Sequence, residues 1–291
     1  MTSSAIFEGQ RGRLKRLAYR MLGSLADAED VAQDTWLRWS AADTDLIEDP
    51  TAWLVRVATR LCLDRLRAER TRRESYVGPW LPEPLVESPA DPVERAEEVS
   101  VAFLLALQRL SPLERAVFLL HDVFDQDYAT VAATLGREEA TCRQLASRAR
   151  GHLKSARPRF APPPEAADRL AAAFLDASQR NDLGALTTLL AEDCVLISDG
   201  GGKRPAALRP MIGREDVLGL IRGLSRRGTW PPAEASTRTA RINGLPGFVV
   251  RENDGWTTIA LEADEAGAVA AIYIVRNPDK LRALEDARVN G

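Results

Sequence analysis

Residues 127–154, DYATVAATLGREEATCRQLASRARGHLK, carry the pattern that decides the fold of this chain. Asp127 is a typical N-cap residue and Gly136 a typical helix stop, so the sequence predicts a short helix between them. A second helix is predicted from about Glu139 to Lys154. Two short helices joined by a turn that contains glycine are typical of a helix-turn-helix.

The second predicted helix has an apolar side and a polar side when its residues are placed at intervals of about 100°. The polar side carries donors that suit base edges early in the helix and cations that suit phosphates later. We predict base-edge contacts for Arg143, Gln144 and Ser147, and phosphate contacts for Arg148, Arg150 and Lys154. An ordinary amphipathic helix in a bundle is the alternative.

Two proline-rich stretches divide the rest of the chain. Residues 75–94 contain five prolines and residues 158–164 contain four. This density excludes a continuous helix or a central strand. With 291 residues, of which 45% are hydrophobic, the chain is long enough for two or three packed domains. The sequence therefore predicts modules at 1–74, 95–157 and 165–291, with linkers at 75–94 and 158–164.

The three modules differ in the period of their apolar residues. The first two show helical spacing throughout, and Ser111 with Glu114 predicts a capping box at the second helix of the middle module. The third module begins with a helical pattern and then changes to short β-rich runs. These runs lie at Val195–Ser198, Phe248–Arg251, Thr257–Leu261 and Val269–Val275, with a tight hairpin at 253–255. An α+β domain is expected.

The charge of the chain is arranged in blocks. The formal net charge of −3 combines 39 basic with 42 acidic residues. Residues 27–49 hold eight acids and one arginine, and residues 83–98 hold six acids and one arginine. Residues 56–73 and 137–159 each hold seven basic side chains against two acids. The near-zero total is thus a cancellation and does not exclude a nucleic-acid partner.

The first acidic block lies on a predicted amphipathic helix. Trp36 and Trp39 fall on its apolar side, and we expect them, with Trp53, in the core rather than as base-stacking platforms. The polar side forms a candidate docking face for a basic partner, with Leu37 as an apolar anchor. Its residues are Asp27, Asp30, Gln33, Asp34 and Leu37. An ordinary solvated helix face is the alternative.

The helix predicted after Pro50 carries a row of arginines. Arg56, Arg60 and Arg67 project within about 40° of one another on the helical wheel. We predict that they follow a nucleic-acid backbone, continued by Arg70, Arg72 and Arg73. A solubilising stripe paired with neighbouring acids is the alternative.

Cysteine and histidine usage limits the remaining function classes. Three cysteines at wide spacing fit neither a disulfide framework nor a zinc motif, and two histidines are too few for a histidine metal site. The amino terminus lacks the apolar core of a signal peptide, and the longest apolar run is too short to span a membrane. We expect a soluble cytoplasmic protein with no metal, no cofactor and no membrane partner.

Taken in this order, three segments resemble the extracytoplasmic-function sigma factors of bacterial RNA polymerase. They are Asp27–Leu37, Ala52–Arg67 and Tyr128–Leu153. The resemblance implies sigma domain two at 1–74, which binds core RNA polymerase and the minus-10 element, and sigma domain four at 95–157, which binds the minus-35 element. It also implies that the acidic face docks on the clamp helices of the largest subunit. The flap region of core polymerase and promoter DNA are the other implied partners.

Residues 165–291 resemble a SnoaL-like domain of the NTF2-like, cone-shaped α+β fold. In the sigma factors that carry it, this extension is thought to regulate the factor in cis. Three motifs of that subgroup are recognisable, at Trp80-Leu81-Pro82-Glu83-Pro84, Asp199-Gly200-Gly201-Gly202-Lys203 and Asn277-Pro278-Asp279-Lys280-Leu281. The glycine run does not match a phosphate loop, because Arg204 follows the lysine. Positive φ angles alone would explain its glycines.

The alternative from another class is a helix-turn-helix regulator fused to a small-molecule-binding or cyclase/isomerase-like enzyme domain. Asp199, Asp216 and Glu262 are candidate acids for such an enzyme, but the sequence brings no two of them together. We therefore name no catalytic residue and expect no enzymatic activity. An unknown small-molecule ligand in the SnoaL-like domain is left open.

Overall fold

The computed structural model describes residues 2–87, 100–154, 163–228, 230 and 237–286, without the side chains of 70–74. The chain forms two compact units. The first comprises Met1–Ser75 and Ala102–Arg157, and the second comprises Tyr76–Val101 and Pro158–Gly291. Residues 76–87, which belong to the predicted first linker, are therefore part of the second unit.

The first unit begins with three helices, and the predicted helical spacing of this module is confirmed. They are α1 (Ser3–Leu22), α2 (Leu25–Ser40) and α3 (Pro50–Glu74), with a 3₁₀ turn at Thr44–Leu46. Gly23 ends α1 in the left-handed region, and Ser24 caps α2 through a hydrogen bond from Asp27 N. Trp39 is fully buried and its Nε1 donates to the Ser3 carbonyl, which confirms its place in the core.

Four further helices and a π-helical turn complete this unit. They are α4 (Val101–Leu107), α5 (Pro112–Phe118), the turn at Leu119–Val123, α6 (Tyr128–Leu135) and α7 (Glu139–Leu153). Asp127 caps α6, Gly136 ends it with φ of 63°, and Ser111 and Glu114 form the predicted capping box. The predicted helix-turn-helix is confirmed as α6 and α7.

Helices α1–α3 and helices α4–α7 contact each other inside this unit. Helix α3 lies against α5 and α6. The buried Arg115 of α5 donates to the carbonyls of Leu107 and Met21, and Arg20 lies over the Phe124 ring. Backbone carbonyls of both groups are therefore satisfied by one arginine.

The second unit has the predicted α+β architecture. Its elements are α8 (Pro164–Gln179), α9 (Leu183–Leu189), β1 (Leu190–Asp199), β2 (Met211–Ile212), α10 (Arg214–Arg226), β3 (Thr237–Ile242), β4 (Leu245–Glu252), β5 (Gly255–Ala263), β6 (Val269–Val275), a 3₁₀ turn (Pro278–Lys280) and α11 (Arg282–Asp286). Helix α8 starts at Pro164, so the second predicted linker ends one residue early; proline suits the first turn of a helix. Residues 158–162 lie outside the described part of the chain.

The six strands form one mixed sheet in the order β2-β1-β6-β5-β4-β3. Strands β1 and β6 pair in parallel, and the other neighbours are antiparallel. The apolar sides of α8, α9 and α10 pack on one face of the sheet, around Phe174, Leu196 and Phe248. The predicted hairpin is confirmed, since Glu252 pairs with Gly255 across a two-residue loop.

Strands β2 and β3 were not predicted. Strand β3 carries two arginines and few apolar side chains because it lies at an edge of the sheet, and β2 has only two residues. Strand β2 depends on its pairing with β1, and its two residues are too few to show an apolar period. Strand β3 pairs with the next strand, β4, so its polar residues, and not a distant partner, explain why it was missed.

Residues 76–87 of the predicted first linker are attached to the rest of the second unit. Val86 forms a β-bridge with Ile242, Asn243 N donates to the Leu85 carbonyl at 2.8 Å, and Glu87 N donates to the Arg241 carbonyl at 3.0 Å. Residues 88–99, which include the other half, lie outside the described residues.

Within the described residues, no helix has the length and apolarity needed to cross a membrane.

Candidate polymerase, DNA and linker-binding surfaces

The predicted docking face lies on the outer side of α2. Leu37 is 56% exposed, Asp30 and Gln33 are exposed, and Asp27 and Asp34 are half-buried. Their opposite side packs into the core through residues such as Val31. The structure therefore brings the five predicted residues onto one accessible surface.

Arg65 of α3 lies among the carboxylates of this face. Its Nη1 is 3.2 Å from Asp27 Oδ1 and 3.6 Å from Asp30 Oδ2, and its Nη2 is 3.1 Å from Asp34 Oδ2. One cation thus partly neutralises three anions, and the face keeps a net negative charge. Arg65 was not predicted as part of this site because the contact joins two helices.

Glu29, a neighbouring acid on α2, pairs with basic side chains of α1. Glu29 lies 2.7 Å from Lys15 and also contacts Arg11, both on α1. The Lys15 hydrogen bond, assisted by Arg11, holds the pKa of Glu29 below its usual range. Glu29 therefore ties α1 to α2.

The predicted arginine row lies along α3. Arg60 and Arg67 are exposed, and Arg67 pairs with Asp64 at 2.9 Å. Arg56 is half-buried, and its Nε finds no hydrogen-bond partner among the described residues. Arg70, Arg72 and Arg73 belong to the same helix, but their side chains lie outside the described part.

Helix α7, the predicted recognition helix, has the predicted apolar and polar sides. All six predicted DNA-binding residues are exposed, whereas Cys142, Ala146, Ala149 and Leu153 are buried against the rest of the unit. Leu145, assigned to the apolar side from the sequence, is only half-buried.

Two of the six predicted DNA-binding side chains contact neighbouring side chains. Arg143 pairs with Glu139 at 2.7 Å and lies over the Tyr128 ring at 4.8 Å. Arg150 donates to Asp122 at 2.7 Å and to the Tyr128 hydroxyl at 3.3 Å. Sequence reasoning missed Tyr128 and Asp122, since both lie outside α7.

The three predicted regulatory motifs meet at Asp199. This carboxylate is fully buried, and it accepts hydrogen bonds from Tyr76 Oη at 2.6 Å, Leu81 N at 2.8 Å, Gly201 N at 3.0 Å and Lys280 Nζ at 2.7 Å. The linker, the glycine loop and the 3₁₀ turn thus share one anion, which we call the Asp199 lock.

Lys280 completes the lock. Its Nζ lies 4.0 Å from the centre of the Trp80 ring and 5.1 Å from that of Tyr76, and it also donates to the Leu81 carbonyl. Cation–π contacts and an ion pair therefore act together on one ammonium group. The other predicted linker residues, Pro82, Glu83 and Pro84, are buried.

Asn277 and Pro278 stabilise the 3₁₀ turn that carries Lys280. Asn277 Oδ1 accepts a hydrogen bond from Asp279 N and so caps the 3₁₀ turn, in which Pro278 takes the first position. The Asn277 amide also donates to Tyr76 Oη at 2.9 Å. Burial, together with the Asp199 hydrogen bond, raises the pKa of Tyr76 above its usual range.

The glycine loop is packed too closely for side chains. A Cβ at Gly201 would meet the Asn277 side chain, and one at Gly202 would meet Val77. Both glycines have positive φ, as predicted, but Gly200 does not; its Cβ would instead collide with the Arg204 carbonyl. The expectation that φ alone explains the three glycines is therefore wrong.

Lys203 and Arg204 fix the end of the loop. Lys203 Nζ is 2.6 Å from Asp279 Oδ2, on the surface. The buried Arg204 pairs with Glu252 at 2.7 Å and with Asp254, at the β4–β5 hairpin. The sequence drew attention to Arg204 only as a mismatch to a phosphate loop.

The candidate acids of the alternative hypothesis do not form a catalytic set. Asp199 belongs to the lock, Asp216 is exposed on α10, and Glu262 accepts a hydrogen bond from Tyr273 Oη at 2.7 Å. No two of these acids contact each other in the described part of the chain. Burial raises the pKa of Glu262.

A small cavity lies between α8 and the sheet. It is lined by Phe174, Ser178, Trp230, Phe248 and Ile259 among others, and its volume is about 10 Å³. This space holds about one water molecule. The described residues contain no cluster of three or more side chains suited to a metal ion.

Comparisons with known proteins agree with this architecture. The family Sigma-70 region 2 matches residues 6–72, and Sigma-70, region 4 matches residues 100–153. The ECF RNA polymerase sigma factor SigJ of Mycobacterium tuberculosis is 39% identical, covering 94% of this chain and 91% of SigJ. A probable ECF sigma factor, SigI, of the same species is 31% identical, covering 96% and 94%.

The crystal structure of Mycobacterium tuberculosis SigJ is similar over both units. It superposes with a TM-score of 0.80 at 36% identity and covers 96% of this chain and 98% of that one. The match includes the C-terminal sheet domain, which has the SnoaL-like fold. By sequence identity, domain content and structure, the chain belongs to the extracytoplasmic-function sigma factors, transcription initiation factors of RNA polymerase.

Proposed function

We propose that the α2 face docks this sigma factor on the clamp helices of the largest polymerase subunit. The observation that supports it is Leu37, a large apolar side chain that is 56% exposed on the side of α2 that also carries Asp27, Asp30 and Asp34. An apolar centre with a polar rim is typical of protein–protein interfaces. Helices α4–α7 would contact the flap region of core polymerase. Because core polymerase is the proposed partner, we expect the protein in the cytoplasm.

Helices α3 and α7 supply the promoter-binding surfaces of this proposal. Arg56, Arg60 and Arg67 would hold the DNA backbone near the minus-10 element, continued by Arg70, Arg72 and Arg73. The exposed side of α7 would enter the major groove at the minus-35 element. The predicted DNA-binding side chains are exposed and lie opposite four buried positions of α7, which supports this assignment.

The SnoaL-like domain would regulate the factor in cis through the Asp199 lock. Residues 76–87, which follow sigma domain two, are fixed to this domain by Asp199, Lys280 and Asn243. Holding these residues would shorten the length of chain that separates sigma domain two from sigma domain four, and so set the distance between the two promoter-reading surfaces. No ligand is part of this proposal.

Binding to core polymerase tests the docking proposal. We expect Leu37→Ala to weaken the affinity of the full-length chain for core RNA polymerase by about tenfold, because an interface anchor is lost. Leu208→Ala is the matched control, since Leu208 is 74% exposed on the SnoaL-like domain. Equal affinities of the two variants, measured by competition with a labelled sigma factor, would contradict the proposal.

A further inference from the structure

A tyrosine outside the recognition helix contacts two of its arginines. Tyr128, the first residue of α6, has the Arg143 guanidinium 4.8 Å from its ring centre and accepts a hydrogen bond from Arg150 Nη2 at 3.3 Å. The two arginines are seven residues apart and therefore lie on the same side of α7. One aromatic side chain thus spans two turns of the helix.

Tyr128 is itself held in place. His121 stacks on its ring at 3.9 Å between centres, with 28° between the planes, and His121 Nδ1 lies 2.6 Å from the Gln126 carbonyl. The phenol consequently has a stacking partner, a cation partner and a hydrogen bond at its hydroxyl. These contacts fix the direction of the ring.

Each arginine also has an acidic partner. Glu139 lies 2.7 Å from Arg143, and Asp122 lies 2.7 Å from Arg150. The arginine side chains remain 60% and 44% exposed. A guanidinium has five donors, so both arginines keep N–H groups that can reach a ligand.

Helical geometry places these two arginines at the flank of the exposed side. The buried positions of α7 define the direction toward the core, and Gln144 points away from it to within about 10°. Ser147 lies about 50° from that outward direction, whereas Arg143 and Arg150 lie about 90° and 110° from it, on the same flank.

We propose that Tyr128 is a positioning residue that presents Arg143 and Arg150 to the phosphates along one wall of the DNA groove. Base reading is then left to Gln144 and Ser147. The centre of a helix in the major groove faces base edges, and its flanks face the backbone. This inference rests on the proposed DNA-binding role of α7, and it moves Arg143 from base edges, where the sequence analysis placed it, to phosphates.

Tyr128 acts in this arrangement without touching DNA. Side chains held in their binding direction lose less rotamer freedom when the complex forms. Its loss is therefore expected to lower affinity for all promoter sequences by a similar factor. A base-reading residue behaves differently, since its loss changes the preference at one position.

The test uses full-length chain assembled with core RNA polymerase and promoter fragments randomised across the minus-35 element. Tyr128→Leu should weaken binding about threefold to tenfold for every sequence and leave the base preference unchanged. Arg143→Ala should act in the same way and lower the slope of log affinity against log salt by about one. Gln144→Ala should change the base preference.

A double-mutant cycle separates positioning from a loss of stability. Tyr128→Phe keeps the ring and removes only the hydroxyl, so its effect on affinity should vanish when Arg150→Ala is already present. Lys154→Ala is the matched control, because Lys154 is exposed on the same helix and no contact joins it to Tyr128 in the described residues. With Lys154→Ala, the effect of Tyr128→Phe should persist.

Each outcome bears on a different statement. A changed base preference in Arg143→Ala or Tyr128→Leu overturns the inference, as does an unchanged affinity in Tyr128→Leu. If Arg143→Ala, Gln144→Ala and Lys154→Ala all leave promoter binding unaltered, the proposed function of α7 fails as well. If these three variants weaken binding and Tyr128→Leu does not, only the positioning role is wrong.

Discussion

Asp199 is a buried carboxylate whose two oxygens are both fully used. Oδ1 accepts from Tyr76 Oη and Gly201 N, and Oδ2 accepts from Leu81 N and Lys280 Nζ. A buried charge is stable only when it is paired and hydrogen-bonded in this way. The side chain therefore connects linker, loop and turn more firmly than a surface ion pair would.

Replacing this carboxylate with an amide should destabilise the second unit. In Asp199→Asn one oxygen becomes an NH₂ group that faces two donors, and Lys280 loses its counter-ion. We expect the free energy of unfolding of the second unit to fall by about 2–4 kcal/mol. Urea unfolding followed by tryptophan fluorescence measures it. Lys203→Ala is the control, because the exposed Lys203–Asp279 pair should be worth less than about 1 kcal/mol. Equal losses in both variants would argue against the lock.

The residues missed from the sequence share one property. Tyr76, Arg65 and Tyr128 each act across a distance in the chain, toward Asp199, the acids of α2 and the arginines of α7. The hydrophobic period and the helix caps depend only on residues that are close together in the sequence. The motif resemblance led to Asp199 and Lys280, but it did not show that they meet.

At the scale of elements, local signals were sufficient where the element is capped by its own residues. Helix α6 begins and ends where Asp127 and Gly136 predict. The parallel pairing of β1 with β6, by contrast, joins strands about 75 residues apart and leaves no mark in either strand. Edge strand β3 was missed for a different reason, since Arg238 and Arg241 weaken its apolar pattern.

The glycine loop provides a prediction at this scale. Gly201 has φ of 61°, and a Cβ there would meet Asn277, so Gly201→Ala should destabilise the second unit by at least about 1–2 kcal/mol. Gly219→Ala is the matched control. Gly219 lies inside α10 with open space around its Cβ position, so alanine should stabilise the helix by about 0.5–1 kcal/mol. Thermal unfolding midpoints should shift in opposite directions; a shift in the same direction would contradict this account.

At the scale of the molecule, the charge blocks acquire separate roles. The acidic face of α2 keeps a net negative charge beside Arg65, and the two basic blocks expose cationic side chains on α3 and along α7. The net charge of −3 is thus divided between a polymerase-facing and a DNA-facing part in the proposed function. A factor of this kind is expected to bind promoters weakly alone and well once core polymerase supplies further contacts.

The lock should be visible in how the factor tolerates promoter spacing. Each added base pair moves the minus-35 and minus-10 elements apart by about 3.4 Å. With residues 76–87 fixed, run-off transcription by wild-type holoenzyme should show a sharp optimum in spacer length. Lys280→Met removes the charge that joins the turn to Asp199 and should broaden that optimum. Arg282→Met is the control, because exposed Arg282 pairs only with Asp279 in the described part of the chain. If all three proteins give the same profile while binding core polymerase equally, the SnoaL-like domain does not act through the linker.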